Sequence, residues 1–158
     1  MFNPNYRILI RSKCFPEDEV IGLGMQLISI INFIKNQIPS HIWYAADVDA
    51  VWINAQKETF SNIQLTRIGT DLQFIDYCSG IQQFIWGVFV CIDQKYSSQN
   101  IIGIELETED KPFRSIDCNG IVMEIRAFDT TYFGIYAEDL ELITTISKQY
   151  GISVEPMQ

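Results

Sequence analysis

Apolar and polar residues alternate with a period of two in several stretches of this chain, and three stretches of helical spacing lie between them. Tyr6–Arg11 (YRILIR) sets Ile8 and Ile10 against Arg7, Leu9 and Arg11, which predicts a first strand. Pro16 and the acids Glu17, Asp18 and Glu19 then suit the opening turn of a helix, where a ring-fixed φ and negative charge are both favourable. Val20, Leu23, Leu27, Ile31, Ile34 and Ile38 form one apolar stripe that Pro39 ends, and Met25, Ile28 and Ile30 widen it. The spacing therefore predicts a long N-terminal helix at the centre of the core.

His41–Ala46 (HIWYAA) reads as a short strand, with Asp47 and Asp49 changing the chain direction before Val51–Ile53. Residues 54–69 are mostly loop, with a short strand near Ile63–Ile68. Thr70 caps a short helix marked by Leu72, Ile75 and Ser79 and stopped by Gly80. Gln83–Asp93 (QFIWGVFVCID) is an almost unbroken apolar run, the pattern of a central strand covered on both faces. Tyr96–Asn100 turns into Ile101–Asp110 (IIGIELETED), an expected strand antiparallel to the buried one. There Ile102, Ile104, Leu106 and Thr108 share one face, and Ile101, Gly103, Glu105, Glu107 and Glu109 the other.

Asn119-Gly120 predicts a tight hairpin between Arg114–Cys118 and Ile121–Phe128, because these residues best tolerate positive φ. Tyr132–Tyr136 follows the turn Asp129–Thr131 as a last strand. Glu138–Tyr150 closes the chain as a helix, with Leu140, Ile143 and Ile146 on one face and Gly151 as its stop. The expectation is one domain, residues 1–158, of α+β class: a mainly antiparallel sheet with a long N-terminal helix and a C-terminal helix packed on one face.

Composition narrows the function classes. With 47% apolar residues in 158, the chain can bury a core. Its formal charge of −9 repels phosphate, which argues against nucleic acid and for basic protein partners. Cys14, Cys78, Cys91 and Cys118 lack CxxC spacing or a neighbouring histidine, so no zinc or redox motif appears. The start MFNPNYRILIRSK is unlike a signal peptide, and polar residues interrupt Val20–Ile38 too often for a membrane span, so a cytosolic protein without membrane contact is expected.

Candidate chemistry is sparse. His41, the one histidine, follows a helix end beside Ile42 and Trp43 and reads as structural. Asp47 and Asp49 could share a divalent cation with other oxygen ligands, or simply form a turn. Gly22-Leu23-Gly24 lacks the lysine of a phosphate loop, and no GxSxG elbow occurs. No catalytic residue, metal or cofactor is expected. The acids at Glu17–Glu19 and Glu138–Glu141 have a sufficient reason at helix starts. Glu105, Glu107, Glu109 and Asp110 do not: a basic partner would relieve their repulsion, as would pairing with Arg126 or service as a charged sheet edge. Trp43, Tyr44 and Trp52 flank Asp47 and Asp49, and aromatics beside charge are the composition of binding hot spots.

As a whole, and most distinctively in His41–Trp52 (HIWYAADVDAVW) and Glu124–Tyr136 (EIRAFDTTYFGIY), the chain resembles the immunity proteins that bacteria make beside polymorphic or contact-dependent toxins. The resemblance implies a cytosolic protein that binds and neutralises a cognate, basic toxin domain. Glu105, Glu107, Glu109 and Asp110 would form its docking face, with Asp47, Asp49 and Trp43 second. The alternatives are an interaction module or structural subunit of an unrelated system, and a small hydrolase or transferase if His41, Asp47 and Asp49 gather in one pocket.

Overall fold

Residues rich in Ile, Val, Phe and Tyr fit a pleated surface buried on one or both sides. In a computed structural model, which describes residues 1–17, 19–55, 58–97, 101, 103–109 and 116–157, they form one seven-stranded sheet. The elements run β1 (Tyr6–Ile10), α1 (Gly24–Ile34), β2 (His41–Trp52), β3 (Thr66–Gly69), α2 (Asp71–Ser79), β4 (Ile81–Asp93), β5 (Ile121–Phe128), β6 (Tyr132–Ala137), α3 (Leu140–Tyr150) and β7 (Glu155–Pro156). The strand order is β3-β2-β4-β5-β6-β1-β7, and each of these pairings is antiparallel. The chain is a mixed α+β fold.

The two faces of the sheet are covered differently. Against one face, Ile8, Ile10, Trp43, Phe89, Ile125 and Ile135 pack on Leu27, Ile31 and Ile34 of α1, Phe74 of α2, and Ile143 and Ile146 of α3. On the other, Ile42, Tyr44, Val88, Val90 and Ile92 lie under Phe2, which precedes β1, and under Leu65, Ile101, Leu106 and Ile116 of connecting segments. Each fully buried Leu, Ile or Phe contributes about 1.5–3 kcal/mol, so both layers count toward stability. β4 is buried on both faces over residues 87–92 because helices pack on one face and other segments on the opposite one, while Trp86 before them is half-buried.

The long N-terminal helix is not formed: α1 is only eleven residues, Gly24–Ile34, rather than a helix opening at Pro16 and ended by Pro39. Gly22 adopts φ +88°, a left-handed conformation that ends any helix arriving from Pro16. Leu23 is extended and bridges to Gln83, while the Phe84 amide donates to the Gly22 carbonyl at 2.6 Å. The helix begins there because the Gln26 side chain accepts from the Leu23 amide at 3.0 Å, a half of a capping box. Ile21 and Ile38 are buried without being helical, which is why the apolar stripe overruns both ends. Glu17 and Glu19 consequently lie outside a helix, Asp18 lies outside the described residues, and Met25 is 69% exposed rather than part of the core.

Three further expectations change. Asp47 and Asp49 do not reverse the chain; they sit at a bulge within the continuous β2, with Asp47 at φ 54°. The acidic segment is not a strand beside β4, whose neighbours are β2 and β5. The arm expected before Asn119-Gly120 lies partly outside the described residues, and only Gly120 has positive φ there. The tight hairpin is instead Asp129–Thr130, at φ 47° and 55°, with the Thr131 amide donating to the Phe128 carbonyl at 2.9 Å. Among the described residues no helix is long and apolar enough to cross a membrane.

Candidate functional site

The acidic segment crosses the face of the sheet that the helices leave alone. Its Ile104 carbonyl accepts from the Leu65 amide and its Leu106 amide donates to the Ile63 carbonyl, both at 2.8 Å, and Glu105 bridges to Gln64. A segment laid over an apolar surface buries every second side chain. Leu106 and Thr108 are accordingly buried and Ile104 half-buried, while Glu105, Glu107 and Glu109 are exposed. The period-two alternation holds from Gly103 to Glu109 although no ladder forms among the described residues; Ile101, expected on the acidic face, is buried instead, and Ile102 lies outside the described residues.

Thr108 is fastened from two sides. Its amide donates to Asp47 Oδ2 at 2.7 Å, and its carbonyl accepts from Arg126 Nη1 at 2.9 Å. The same nitrogen donates to the Glu107 carbonyl at 3.0 Å. Arg126 is buried, and its Nε donates to the equally buried Glu124 at 2.5 Å. Glu124 thus balances the guanidinium charge, and donors left over reach the carbonyls of the segment above. Arg126 therefore grips the backbone of the acidic row, whose side chains at 105, 107 and 109 point into solvent.

Asp47, Glu107 and Glu109 line one recess of about 230 Å³ together with Trp86. Asp49 is exposed on β2, in register with Trp86 of β4. Glu105 stands apart at its bridge, and Asp110 lies outside the described residues. Trp43 does not belong with them. It faces the helices, is 0% exposed, donates from Nε1 to Asp71 Oδ1 at 2.8 Å, and packs tilted on Phe74 with ring centroids 4.9 Å apart. Tyr44 is buried on the other face and Trp52 packs edge-on against Tyr77 at 5.6 Å.

The aromatic that does flank the acids, Trp86, was hidden in a run that reads as wholly buried. It begins a cross-strand row. Trp86 meets Phe128 nearly perpendicular at 5.3 Å, Phe128 stacks on Tyr132 at 5.2 Å, and the Arg11 guanidinium lies 5.2 Å over the Tyr132 ring. All three rings are half-buried. Burial pushes the Tyr132 hydroxyl pKa up, and the nearby cations Arg7, Arg11 and Arg126 pull it back.

The remaining candidates are structural. His41 is buried, with Nδ1 2.6 Å from the Pro39 carbonyl and Nε2 2.7 Å from Asp71 Oδ1. Asp47 is bonded to Thr108 instead, so His41 and Asp47 are held by different neighbours. All four cysteines are free thiols, and burial pushes the pKa values of Cys78 and Cys91 well up, away from thiolate reactivity. Among the described residues no group of three or more His, Cys, Asp or Glu could hold a metal ion. No protein-family model, curated protein or solved structure matches the chain.

Proposed function

We propose that this protein is a cytoplasmic immunity protein that binds a cognate, basic toxin domain and covers its active site or substrate-binding surface. The observation that carries this reading is the acidic segment. Glu105, Glu107 and Glu109 project outward from a backbone fixed by Arg126 and Asp47, with Asp49 and Trp86 adjacent. A row already fixed in place loses little freedom on binding. Its charge steers a basic partner and speeds association, an effect that salt weakens.

The test is calorimetry and stopped-flow binding with the toxin domain encoded directly upstream. Binding is expected at low salt, with an association rate that falls at high salt and falls about 10-fold in the double variant E105K/E109K. Absence of a complex at low salt would refute the proposal. The half-exposed aromatic row favours a second reading, an interaction module of an unrelated system, for which association would be insensitive to salt and to those two charges.

A further inference from the structure

We infer that the partner is gripped at the row Trp86–Phe128–Tyr132 by a segment of defined polarity: an apolar centre, a cation at the Trp86 end and a carboxylate at the Arg11 end. This rests on the toxin-binding reading and adds to it where the affinity resides. Exposed carboxylates set encounter rate and salt dependence, whereas residence time comes from desolvated anchors, most often Trp, Tyr and Arg. The row supplies two of those types side by side, in register across three strands: Trp86 opposite Phe128, and Phe128 opposite Tyr132.

The two ends of the row carry opposite charge. At one end are the recess acids Asp47, Glu107 and Glu109, with Asp49 across from Trp86. At the other, Arg11 lies over Tyr132 and has no ion pair among the described residues, while Arg7 is bonded to Glu155 at 2.7 Å. β2, β4, β5, β6 and β1 are consecutive neighbours, so the strand that carries Asp49 and the strand that leads into Arg11 lie four spacings, about 19 Å, apart. A uniformly basic surface laid along the row would set a cation against Arg11. A segment with a cation at one end only matches both ends and fills the aromatic middle.

The inference separates from simple attraction of a basic partner at Arg11. R11E makes the protein more acidic, so charge-led capture alone tightens the complex; the polar row predicts the opposite. With the upstream toxin domain, R11E is expected to raise Kd about 5-fold, and W86A and Y132A about 30-fold, chiefly through faster dissociation. W86F, which keeps a ring in place, is expected to retain most of the affinity, and each variant is first shown by its thermal transition to be folded. Tighter or unchanged binding by R11E, or W86A within twofold of the parent, overturns the inference while leaving the toxin reading intact. Failure of the parent protein itself to bind overturns that reading instead.

Discussion

Replacing Arg126 by methionine tests the clamp beneath the acidic row. Methionine fills much of the same volume but provides neither the charge beside Glu124 nor the donors to the Glu107 and Thr108 carbonyls. Glu124 is 1% exposed, and stripping the partner from a buried charge costs about 3–5 kcal/mol. For a domain with a total stability of about 5–15 kcal/mol, that is a large fraction. The loss is read from urea unfolding as a lower midpoint at unchanged slope. A second variant separates the two roles of the arginine. In E124L/R126M the buried charge is gone as well, so global stability is expected to return to within about 1 kcal/mol of the parent. The grip on the Glu107 and Thr108 carbonyls is still missing, however, so the Thr108 amide, bonded to Asp47 on a segment now less firmly held, is expected to exchange with solvent faster than in the parent. A loss below about 1 kcal/mol in R126M would refute the reasoning, as would parental protection of Thr108 in the double variant.

Two further outcomes follow from packing and burial. At Gly24, helix propensity alone favours alanine by about 1 kcal/mol, but an added Cβ would stand 2.3 Å from the Ile81 carbonyl oxygen and 2.5 Å from that of Cys78. Backbone cannot yield cheaply, so G24A is expected to destabilise by about 1–3 kcal/mol, and a higher Tm would show that α1 is not seated there. Burial raises the pKa values of Cys78, Cys91, Tyr77 and Tyr136 above their ordinary values of 9.0 for the thiols and 10.0 for the phenols. The folded chain then keeps protons that the unfolded chain releases. Stability from these groups is complete below pH 9 and declines as pH rises beyond it. Tm measured across alkaline pH is expected to fall, and a rise above pH 10 would contradict the burial.

The elements legible in the sequence are those whose local signals and tertiary environment agree. α2 is capped by Thr70 with Gln73 reaching back to the Thr70 amide, and α3 by Asp139, whose carboxylate accepts from the Glu141 and Leu142 amides. β4 declares itself because a strand covered on both faces must be apolar throughout. The N-terminal stripe misleads for a related reason. Periodicity reports which residues are buried, and Ile21 and Ile38 are buried by contacts of extended and turn backbone rather than by helix. The acidic segment shows the same limit: its alternation records one-sided burial, which a segment crossing a sheet produces as readily as a strand within it. Trp43 and Trp86 both occupy runs with little alternation, so their faces cannot be told apart locally. What distinguishes them is their cover: Trp43 is fully buried under the helices, whereas connecting segments leave Trp86 on the other face half-buried. A two-residue strand such as β7 has no periodicity to read.

The position of β1 governs the order in which the sheet can be completed. Both of its neighbours come late in the chain, with Tyr6 registered against Ala137 on one side and Pro156 on the other. During synthesis β1 therefore has no sheet partner until the chain has been extended as far as β6. Its Ile8 and Ile10, fully buried at the end, must wait in the open or in transient company. Closing so distant a pairing delays folding more than it weakens the product, because the entropy of the long loop is lost before the strand gains its contacts. The sheet is thus finished at the strand that was made first.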